Sequence, residues 1–419
     1  MHVIVIGAGV VGAATTLALV ERGVRVTLID RRPEAAAETS HANGGGITPL
    51  HSEPWNAPGL LGKLVHNVGR PDSPYKLYPL AVPGMGLWGA KFLVHMRKTR
   101  FVANARRNFR LGLYSLDCLR RWVQTYDIDF HRASNGSLQV YFDPELLDQA
   151  MRLRLELLDG LAPVERIGAD QAIDREPALA PVGNRLAGAI LFPDHECGDA
   201  CLFSQGVVRI AERMGAELRL STRVTGIIRD RDGFRAVDTD HGRFQADACV
   251  LAAGPDAAKL ARSAGVRLPI YPVRGYSATF ELDDPGPAPH MPMLDMASRF
   301  VTLRLGERRL RVAGLADFAG HRKDIPGHRI ESLLAGARKL LPALADELVT
   351  ERAGLWAGLR PVTPDGLPLL GPSRVRGLYV NAGHGPMGWT MACGSARVLA
   401  DLVAGKSPEI DVRDFAVHR

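Results

Sequence analysis

Long apolar runs are missing from this chain of 419 residues. No stretch reaches the roughly eighteen consecutive apolar residues that a helix needs to cross a bilayer. The N-terminal stretch lacks the charged segment and the small-residue cleavage site of a secretory signal. Low-complexity tracts and detectable repeats are absent too. We therefore expect a globular protein that stays in the cytoplasm, where it is made.

Cysteine is also scarce. The five cysteines are odd in number and scattered, which is typical of a reducing compartment and not of a disulfide framework. Cys197 and Cys201 are close in sequence and His195 precedes them, but a zinc site needs a second pair of ligands at suitable spacing, and none follows. The sequence therefore predicts no metal site.

Acidic residues are outnumbered, since 52 Lys and Arg face 45 Asp and Glu. A basic chain can attract nucleic acid or an anionic membrane surface. No aromatic and basic platform or added RNA-binding module is visible, so we expect no nucleic-acid partner. Within 85–122, the helical spacing of Trp88, Phe92 and Met96 among basic residues is typical of peripheral membrane contact. Solvated helices that turn one face to a core show the same spacing.

The first residues predict a dinucleotide site. "HVIVIG" is a β-branched run typical of a buried parallel strand, and Gly7-x-Gly9-x-x-Gly12 leads from it into a helical segment. In such a site, Gly7 makes the tight turn, Gly9 admits the pyrophosphate and Gly12 lets the helix pack on the strand. The helix N-terminus, at Val10 and Val11, offers N–H groups and a partial positive charge to phosphates.

A second strand, "VRVTLID", ends at Asp30, whose carboxylate can accept hydrogen bonds from ribose hydroxyls. Arg31 and Arg32 would suit a 2′-phosphate, but Asp30 would repel one. The following "SHANGGG" is rich in small and turn-forming residues. That composition suits backbone lying close to a flat ring, and it equally suits a flexible loop.

Two later strand ends have the same character. "ACVLAAG" ends at Ala253 and Gly254, and "GLYVNAGHGPMGWT" runs from a strand through a glycine-rich loop into a helix expected to begin near Gly388–Thr390. A helix N-terminus there can stabilise negative charge on a reduced flavin. Three glycine-rich strand ends so far apart predict one α/β nucleotide domain assembled from separated segments, with a second domain built between them.

Sequence motifs spread over nearly the whole chain resemble those of a known protein family. They include "GAGVVG", "ETSHANGGGITP", "NGSLQVY", "PDHECGDACLFSQ", "YPVRGYS", "GLRPVTPDGLPLLG" and "NAGHGPMGWTMACGS". The chain resembles the D-amino-acid oxidase superfamily of FAD enzymes, and within it the small subunits of bacterial D-amino-acid dehydrogenases. This resemblance implies an α/β fold with a discontinuous Rossmann-like FAD-binding domain and a mixed α+β substrate domain containing an antiparallel sheet. The expected FAD-binding segments are 1–80, 197–265 and 355–419, and the expected substrate segments are 81–196 and 266–354.

The resemblance also implies site residues. In the family, the arginine of "GLRP" clamps the substrate carboxylate, and it falls on Arg360, which in isolation reads equally well as a surface arginine at a strand end. The expected substrate contacts are Arg360, Arg274, Tyr276, His51 and Ser52. The expected FAD contacts are Gly7, Gly9, Val10, Val11, Gly12, Asp30, Arg31, Arg32, Ser40, Asn43, Gly44, Gly45, Val224, Ala253, Gly254, His384, Gly385, Met387, Gly388, Trp389 and Thr390. Sarcosine-oxidase relatives attach the flavin to a cysteine beyond the arginine element; none follows here, so noncovalent FAD is implied.

The implied activity is oxidative deamination of a D-amino acid to a 2-oxo acid and ammonia, by hydride transfer from Cα to flavin N5. The electrons would pass to a quinone or another acceptor, on the cytoplasmic face of the inner membrane if the basic region touches it. No general base is assigned, because a neutral substrate amine needs none; His384 either serves as one or packs in the glycine loop. A planar guanidinium would hold the carboxylate through two hydrogen bonds.

Departures from the family pattern leave the substrate open. His51, Ser52 and Glu53 stand where the family has a different segment, and Arg274 stands where a lysine is expected. A cyclic or N-substituted substrate is therefore an alternative: D-proline, cis-4-hydroxy-D-proline, glycine or sarcosine. Two alternatives from other classes are an FAD protein of tRNA modification and a noncatalytic flavin-binding subunit.

Overall fold

The computed structural model describes residues 1–60, 62 and 73–419. In chain order, its strands are β1 (His2–Ile6), β2 (Arg25–Ile29), β3 (Gly46–Ile47), β4 (Tyr75–Leu77), β5 (Ser137–Tyr141), β6 (Glu165–Ile167), β7 (Gly188–Phe192), β8 (Glu196–Cys197), β9 (Glu217–Arg219), β10 (Val224–Asp230), β11 (Gly233–Thr239), β12 (Gly242–Gln245), β13 (Ala248–Leu251), β14 (Tyr271–Glu281), β15 (Met293–Asp295), β16 (Phe300–Leu305), β17 (Arg309–Phe318), β18 (Gly354–Val362), β19 (Leu369–Pro372) and β20 (Leu378–Ala382).

The α-helices are α1 (Val10–Val20), α2 (Val82–Val94), α3 (Lys98–Thr125), α4 (Pro144–Leu158), α5 (Ala169–Arg175), α6 (Ala200–Arg213), α7 (Ala257–Ser263), α8 (Gly327–Leu340) and α9 (Gly388–Val403). Short 3-10 segments cover Pro49–His51, Pro79–Ala81, Pro177–Arg185, Gly254–Asp256, Pro342–Leu344, Thr350–Arg352, Gly385–Met387 and Arg413–Phe415. Within the described residues, no helix combines the length and the low polarity that crossing a membrane requires.

The first sheet has the order β19-β20-β13-β1-β2-β9 and is parallel except for β19. Its central strands are apolar on both faces because both faces are covered. Val3 and Val5 face α1, α6 and α9, whereas Ile4 and Ile6 face α7 and the small antiparallel sheet β10-β11-β12. The predicted turn from the first strand into a helix is present, with the helix beginning at Val10.

The second sheet has the order β18-β14-β17-β16-β15-β5-β7-β6, and β4 adds to the end of β17. Most neighbours are antiparallel, as predicted, but β15 pairs with β5, and β4 with β17, in parallel. Helix α8 and a large apolar cluster cover one face. The predicted fold class, a parallel-rich nucleotide sheet beside a mixed, largely antiparallel sheet, is confirmed.

The chain alternates between these two sheets. The first sheet contains β1, β2, β9, β13, β19 and β20. Strands β4 and β18 belong to the second sheet, although β4 lies in the predicted FAD-binding segment 1–80 and most of β18 lies in the predicted FAD-binding segment 355–419. Helix α3 packs against α9 and contributes to the apolar core beside the first sheet. The exact five-segment division stays a prediction.

Candidate active site

A cavity of about 1000 Å³ runs between the carboxyl ends of the first sheet and one face of the second. This volume is at the upper end of the roughly 300–1,000 Å³ that small-molecule sites span. Nearly all of the predicted site residues line it. The exceptions are Gly12, Thr390, Ser52 and Arg274.

The first glycine turn is fixed by close packing. Gly7 has φ +106°, and a Cβ there would lie 2.6 Å from the carbonyl oxygen of Ala252. A Cβ on Gly12 would lie 1.7 Å from the Gly7 oxygen, so Gly12 serves packing and not cofactor contact. A Cβ on Gly9 would meet only Ser40 Oγ, at 3.4 Å, and Gly9 is the N-cap residue of α1 with no side chain to cap the helix. Val10 N donates to Ser40 Oγ, but the rest of this helix N-terminus, at Val11, lines the cavity and can face an anionic group.

At the end of β2, Asp30 and the two arginines that follow it have partners within the chain. Asp30 accepts hydrogen bonds from the backbone N–H groups of Ala8 at 2.7 Å and Arg32 at 2.8 Å, and burial raises the pKa of its carboxyl. Arg31 is ion-paired with Glu38 and Asp256, and Arg32 with Glu38. These arginines already have partners, which removes the reason to expect a 2′-phosphate.

The small-residue loop Ser40–Gly46 is an ordered wall of the cavity. Ser40 Oγ accepts a hydrogen bond from Val10 N at 3.0 Å, and Asn43 Oδ1 accepts one from Gly45 N. Trp389 Nε1 donates to the Gly45 oxygen at 3.2 Å, and Thr390 Oγ1 accepts from Thr48 N at 3.1 Å. Trp389 and Thr390 thus hold this loop against α9. Trp389 lines the cavity, whereas Thr390 does not.

Arg360 lies on β18, and its guanidinium enters the cavity. Nη1 donates to the carbonyl oxygen of Leu315 at 2.6 Å and Nη2 to that of Gly314 at 3.4 Å, while the Trp55 ring lies 5.3 Å from Cζ. Among the described residues, no carboxylate is within ion-pair distance. Burial lowers the pKa of Arg360 to about 10, so the group remains a cation at neutral pH.

Gly275 and Leu315 position this guanidinium, and the sequence analysis predicted neither of them. Gly275 on β14 lies beneath it, because a Cβ there would be 2.3 Å from Arg360 Cζ. Leu315 has φ +58°, a left-handed conformation, at a bulge where Arg274 pairs with Asp317 but Tyr276 pairs with Gly314. The glycine inside the strand "YPVRGYS" was the available signal, since such glycines mark close approach.

Arg274 and Tyr276 belong to a buried charge network. Tyr276 lines the cavity, but its hydroxyl donates to Asp317 Oδ2 at 2.6 Å, and burial with this contact raises its pKa. Arg274 is fully buried and pairs with Asp317 at 3.2 Å and with Asp324. Arg329 pairs with Asp317 at 2.8 Å. Arg274 therefore stabilises the sheet behind the cavity, and its predicted substrate contact has no support from this geometry.

Within the unusual segment His51–Glu53, one residue reaches the cavity. His51 lines it beside His195, with ring centroids 4.7 Å apart, and its Nε2 is buried with no hydrogen-bond partner. Burial lowers the pKa of His51 well below its usual value, so the imidazole is neutral. Ser52 is buried behind the wall, and Glu53 pairs with Arg154.

His384 is arranged as a structural residue. It is buried, its Nε2 is 3.1 Å from Ser395 Oγ, and burial lowers its pKa to about 3. A nitrogen of such low basicity is a poor proton acceptor at neutral pH. The neighbouring Gly385–Met387 turn and the N-terminus of α9 carry the remaining lining residues of this loop.

Metal ligands do not gather at the cysteine pair. His195 bonds to Ser137 Oγ at 2.8 Å, and Cys197 is buried in β8. In the part of the chain that the structure describes, no group of three His, Cys, Asp or Glu residues could hold a metal ion.

Comparisons with known proteins agree with this geometry. The family model DAO, described as FAD dependent oxidoreductase, matches residues 2–402. A D-amino acid dehydrogenase of Paramagnetospirillum magneticum is 40% identical over 422 residues, with 100% of this chain and 99% of that protein covered. One from Agrobacterium fabrum is 37% identical over 419 residues, with the same coverage. The crystal structure of glycine oxidase from Geobacillus kaustophilus superposes with a TM-score of 0.74 at 24% identity, covering 100% of this chain and 98% of that one.

Proposed function

Because the chain belongs to the DAO family of FAD dependent oxidoreductases, we propose that it is a D-amino-acid dehydrogenase. It would convert a D-amino acid to the 2-oxo acid and ammonia through an imino acid. Full-length similarity to D-amino acid dehydrogenases supports this activity. The observation that carries it is Arg360, a cation that enters the cavity with carbonyl groups, and no described carboxylate, as its partners.

The cavity fits FAD. The N-terminus of α1, which begins after Gly9, suits the pyrophosphate, and Asp30 suits the ribose. Val224, Ala253 and Gly254 lie further along the same lining. When bound, FAD supplies the two-electron acceptor for oxidation at Cα. We propose noncovalent binding, because none of the five cysteines lines the cavity.

The chain's own residues contribute orientation. Arg360 would hold the α-carboxylate through two parallel N–H bonds, which fixes Cα relative to the cofactor. Trp55 and Tyr276 would form the walls around the bound amino acid. Neither His51 nor His384 is suited to accept the amine proton, because burial lowers the pKa of both side chains. The substrate is therefore best bound with its amine already neutral.

Anaerobic mixing of the purified holoprotein with single D-amino acids tests this function. Bleaching of the flavin absorbance identifies each substrate, and L-enantiomers serve as matched controls. D-Proline, cis-4-hydroxy-D-proline, glycine and sarcosine belong in the panel, since His51 replaces the family's usual residue in the wall. If no D-amino acid bleaches the flavin, the proposal is wrong. Reoxidation by a quinone, compared with oxygen, then identifies the acceptor.

We also propose that the protein contacts an anionic membrane, as a peripheral protein on the cytoplasmic side, to reach a quinone. The exposed apolar side chains that support membrane contact lie in residues 77–94 and not throughout the predicted segment 85–122. Leu80 and Leu87 are 94% and 74% exposed, and further exposed apolar side chains surround them in sequence. The exposed Lys91 and Arg97 flank this surface.

The basic residues of α3 support membrane contact less well. Five of them are ion-paired with acids: Lys98, Arg106, Arg107, Arg120 and Arg121. Its apolar residues face the core. A surface whose cations already have acidic partners gains little from anionic lipid.

Replacing Leu80 and Leu87 with aspartate is therefore expected to lower the affinity for phosphatidylglycerol-containing vesicles by about tenfold or more, because two apolar contacts are lost and two negative charges are added. Vesicle co-sedimentation measures this, with flavin bleaching as the check on folding. The matched control replaces Leu146 and Leu155 of α4, which are 53% and 54% exposed. Equal losses in both double variants would contradict a specific surface.

A further inference from the structure

Another arginine that lines the cavity, Arg299, has no role in the function described so far. It lies at the end of the turn that joins β15 to β16, and it lines the same cavity as Arg360. Asp295 Oδ1 accepts hydrogen bonds from Ala297 N and Ser298 N. The backbone carbonyl oxygen of Asp295 accepts a hydrogen bond from Arg299 N at 2.9 Å. Arg299 has φ +57°. The turn thus fixes the position from which this side chain extends.

Gly314 lies between the guanidinium of Arg360 and the backbone of Arg299. Its carbonyl oxygen accepts the bond from Arg360 Nη2 at 3.4 Å. On its other side, a Cβ added to Gly314 would lie 2.9 Å from the carbonyl oxygen of Arg299. The backbone of Arg299 therefore approaches the residue that holds the carboxylate clamp.

The charge of Arg299 is available to a ligand. Its side chain is exposed to the cavity and makes no hydrogen bond or ion pair with any described residue. The nearby acids are engaged elsewhere, since Asp295 caps its own turn and Glu53 pairs with Arg154. Arg31 and Arg32, which also line the cavity, have carboxylate partners.

The wall beside Arg299 is apolar. Leu294 of β15 pairs with Val301 of β16, and both line the cavity together with Leu138 of β5. Such a wall suits methylene groups. A ligand with two anionic ends and a short aliphatic middle would match an arginine at each side and this surface between them.

We infer that Arg299 is a specificity-determining residue that binds the side-chain carboxylate of a dicarboxylic D-amino acid. This inference rests on the proposed dehydrogenase function and narrows its substrate class to D-glutamate and D-aspartate. The guanidinium discriminates carboxylate from amide, because it forms charge-assisted hydrogen bonds with the carboxylate alone. The neutral amides D-glutamine and D-asparagine have nearly the same shape and provide the reference.

The test compares kcat/KM for D-glutamate with that for D-glutamine. We expect the native holoenzyme to favour D-glutamate, and Arg299→Gln to lower that ratio by about tenfold or more while D-glutamine turnover persists. Arg299→Lys should keep part of the preference because it keeps the charge. The matched control is Arg304→Gln on β16, whose guanidinium bonds to His290 outside the cavity.

A binding measurement makes the result independent of turnover. Perturbation of the flavin spectrum gives the affinities of glutarate and of its monoamide, and Arg299→Gln should remove the advantage of glutarate. A native enzyme that does not favour the dicarboxylate, or a ratio unchanged in Arg299→Gln, overturns the inference. If D-alanine and D-glutamine bleach the flavin in that case, the dehydrogenase function stands. If no D-amino acid does, the dehydrogenase function has failed separately.

Discussion

Arg360→Lys is expected to raise the KM for the amino-acid substrate by the equivalent of about 1–3 kcal/mol, or roughly five- to 150-fold. Lysine keeps a positive charge but cannot present two parallel N–H groups to a carboxylate. It also cannot satisfy the carbonyl groups of Leu315 and Gly314 from the same position. A less well oriented substrate should lower kcat as well.

The pH dependence adds a second expected difference. Burial disfavours a cation, and it lowers the pKa of Arg360 to about 10, which still leaves the native group charged at neutral pH. A lysine begins from an ordinary pKa of about 10.4, below that of arginine, so the same burial brings it closer to neutrality. As the pH is raised, the KM of Arg360→Lys should therefore begin to increase at a lower pH than the KM of the native enzyme does.

Steady-state KM and the affinity for a carboxylate inhibitor measure this prediction. The control is Arg304→Lys, which makes the same chemical change outside the cavity. Unchanged KM and inhibitor affinity in Arg360→Lys would remove Arg360 from the substrate site. A loss of bound flavin would instead indicate a role in folding.

Local sequence patterns were sufficient to place one group of residues in the cavity wall. Gly7, Gly9 and Asp30 follow directly from a strand, a turn and a helix, all within a single stretch of chain. The position of such residues depends on short-range geometry, which the sequence records as glycine spacing and apolar periodicity. The helix at Gly388 could be predicted for the same reason.

The substrate half depends on contacts that no short segment specifies. Arg274 and Arg360 both lie in strands and look alike in sequence, yet one pairs with Asp317 and Asp324 and the other faces the cavity. Asp317 is 43 residues from Arg274, and its register is set by a bulge at Leu315. Sequence periodicity cannot locate such a bulge, because Leu315 is an unusual residue for a left-handed conformation.

Gly275→Ala is expected to lower kcat/KM by about a hundredfold, because it displaces the guanidinium of Arg360, the proposed carboxylate clamp, without altering that residue. The added methyl group would lie 2.3 Å from Cζ and Nη2 of Arg360, far inside van der Waals contact. Gly275 pairs with Gly358 in the middle of the β14–β18 ladder, so the backbone cannot easily move away. The guanidinium must therefore leave its position over Gly275, and the bonds to Leu315 and Gly314 are lost.

A matched substitution on the adjacent strand separates this effect from general damage to the sheet. Gly354→Ala on β18 adds the same methyl group where the nearest atom is the Thr279 oxygen at 3.5 Å, an ordinary contact. We expect this control to retain native kcat/KM and flavin content. Thermal unfolding of the two variants shows whether Gly275→Ala also destabilises the fold.

The decisive measurement is a double-mutant cycle with Arg360→Ala. Truncating Arg360 removes the atoms that the added methyl group would meet, so Gly275→Ala should cost little further activity in that background. Strong non-additivity is expected because both changes remove the same interaction with the substrate carboxylate. A full additional loss would mean that the glycine supports strand pairing instead. In that case, the position of Arg360 would depend on Leu315 and Gly314 alone.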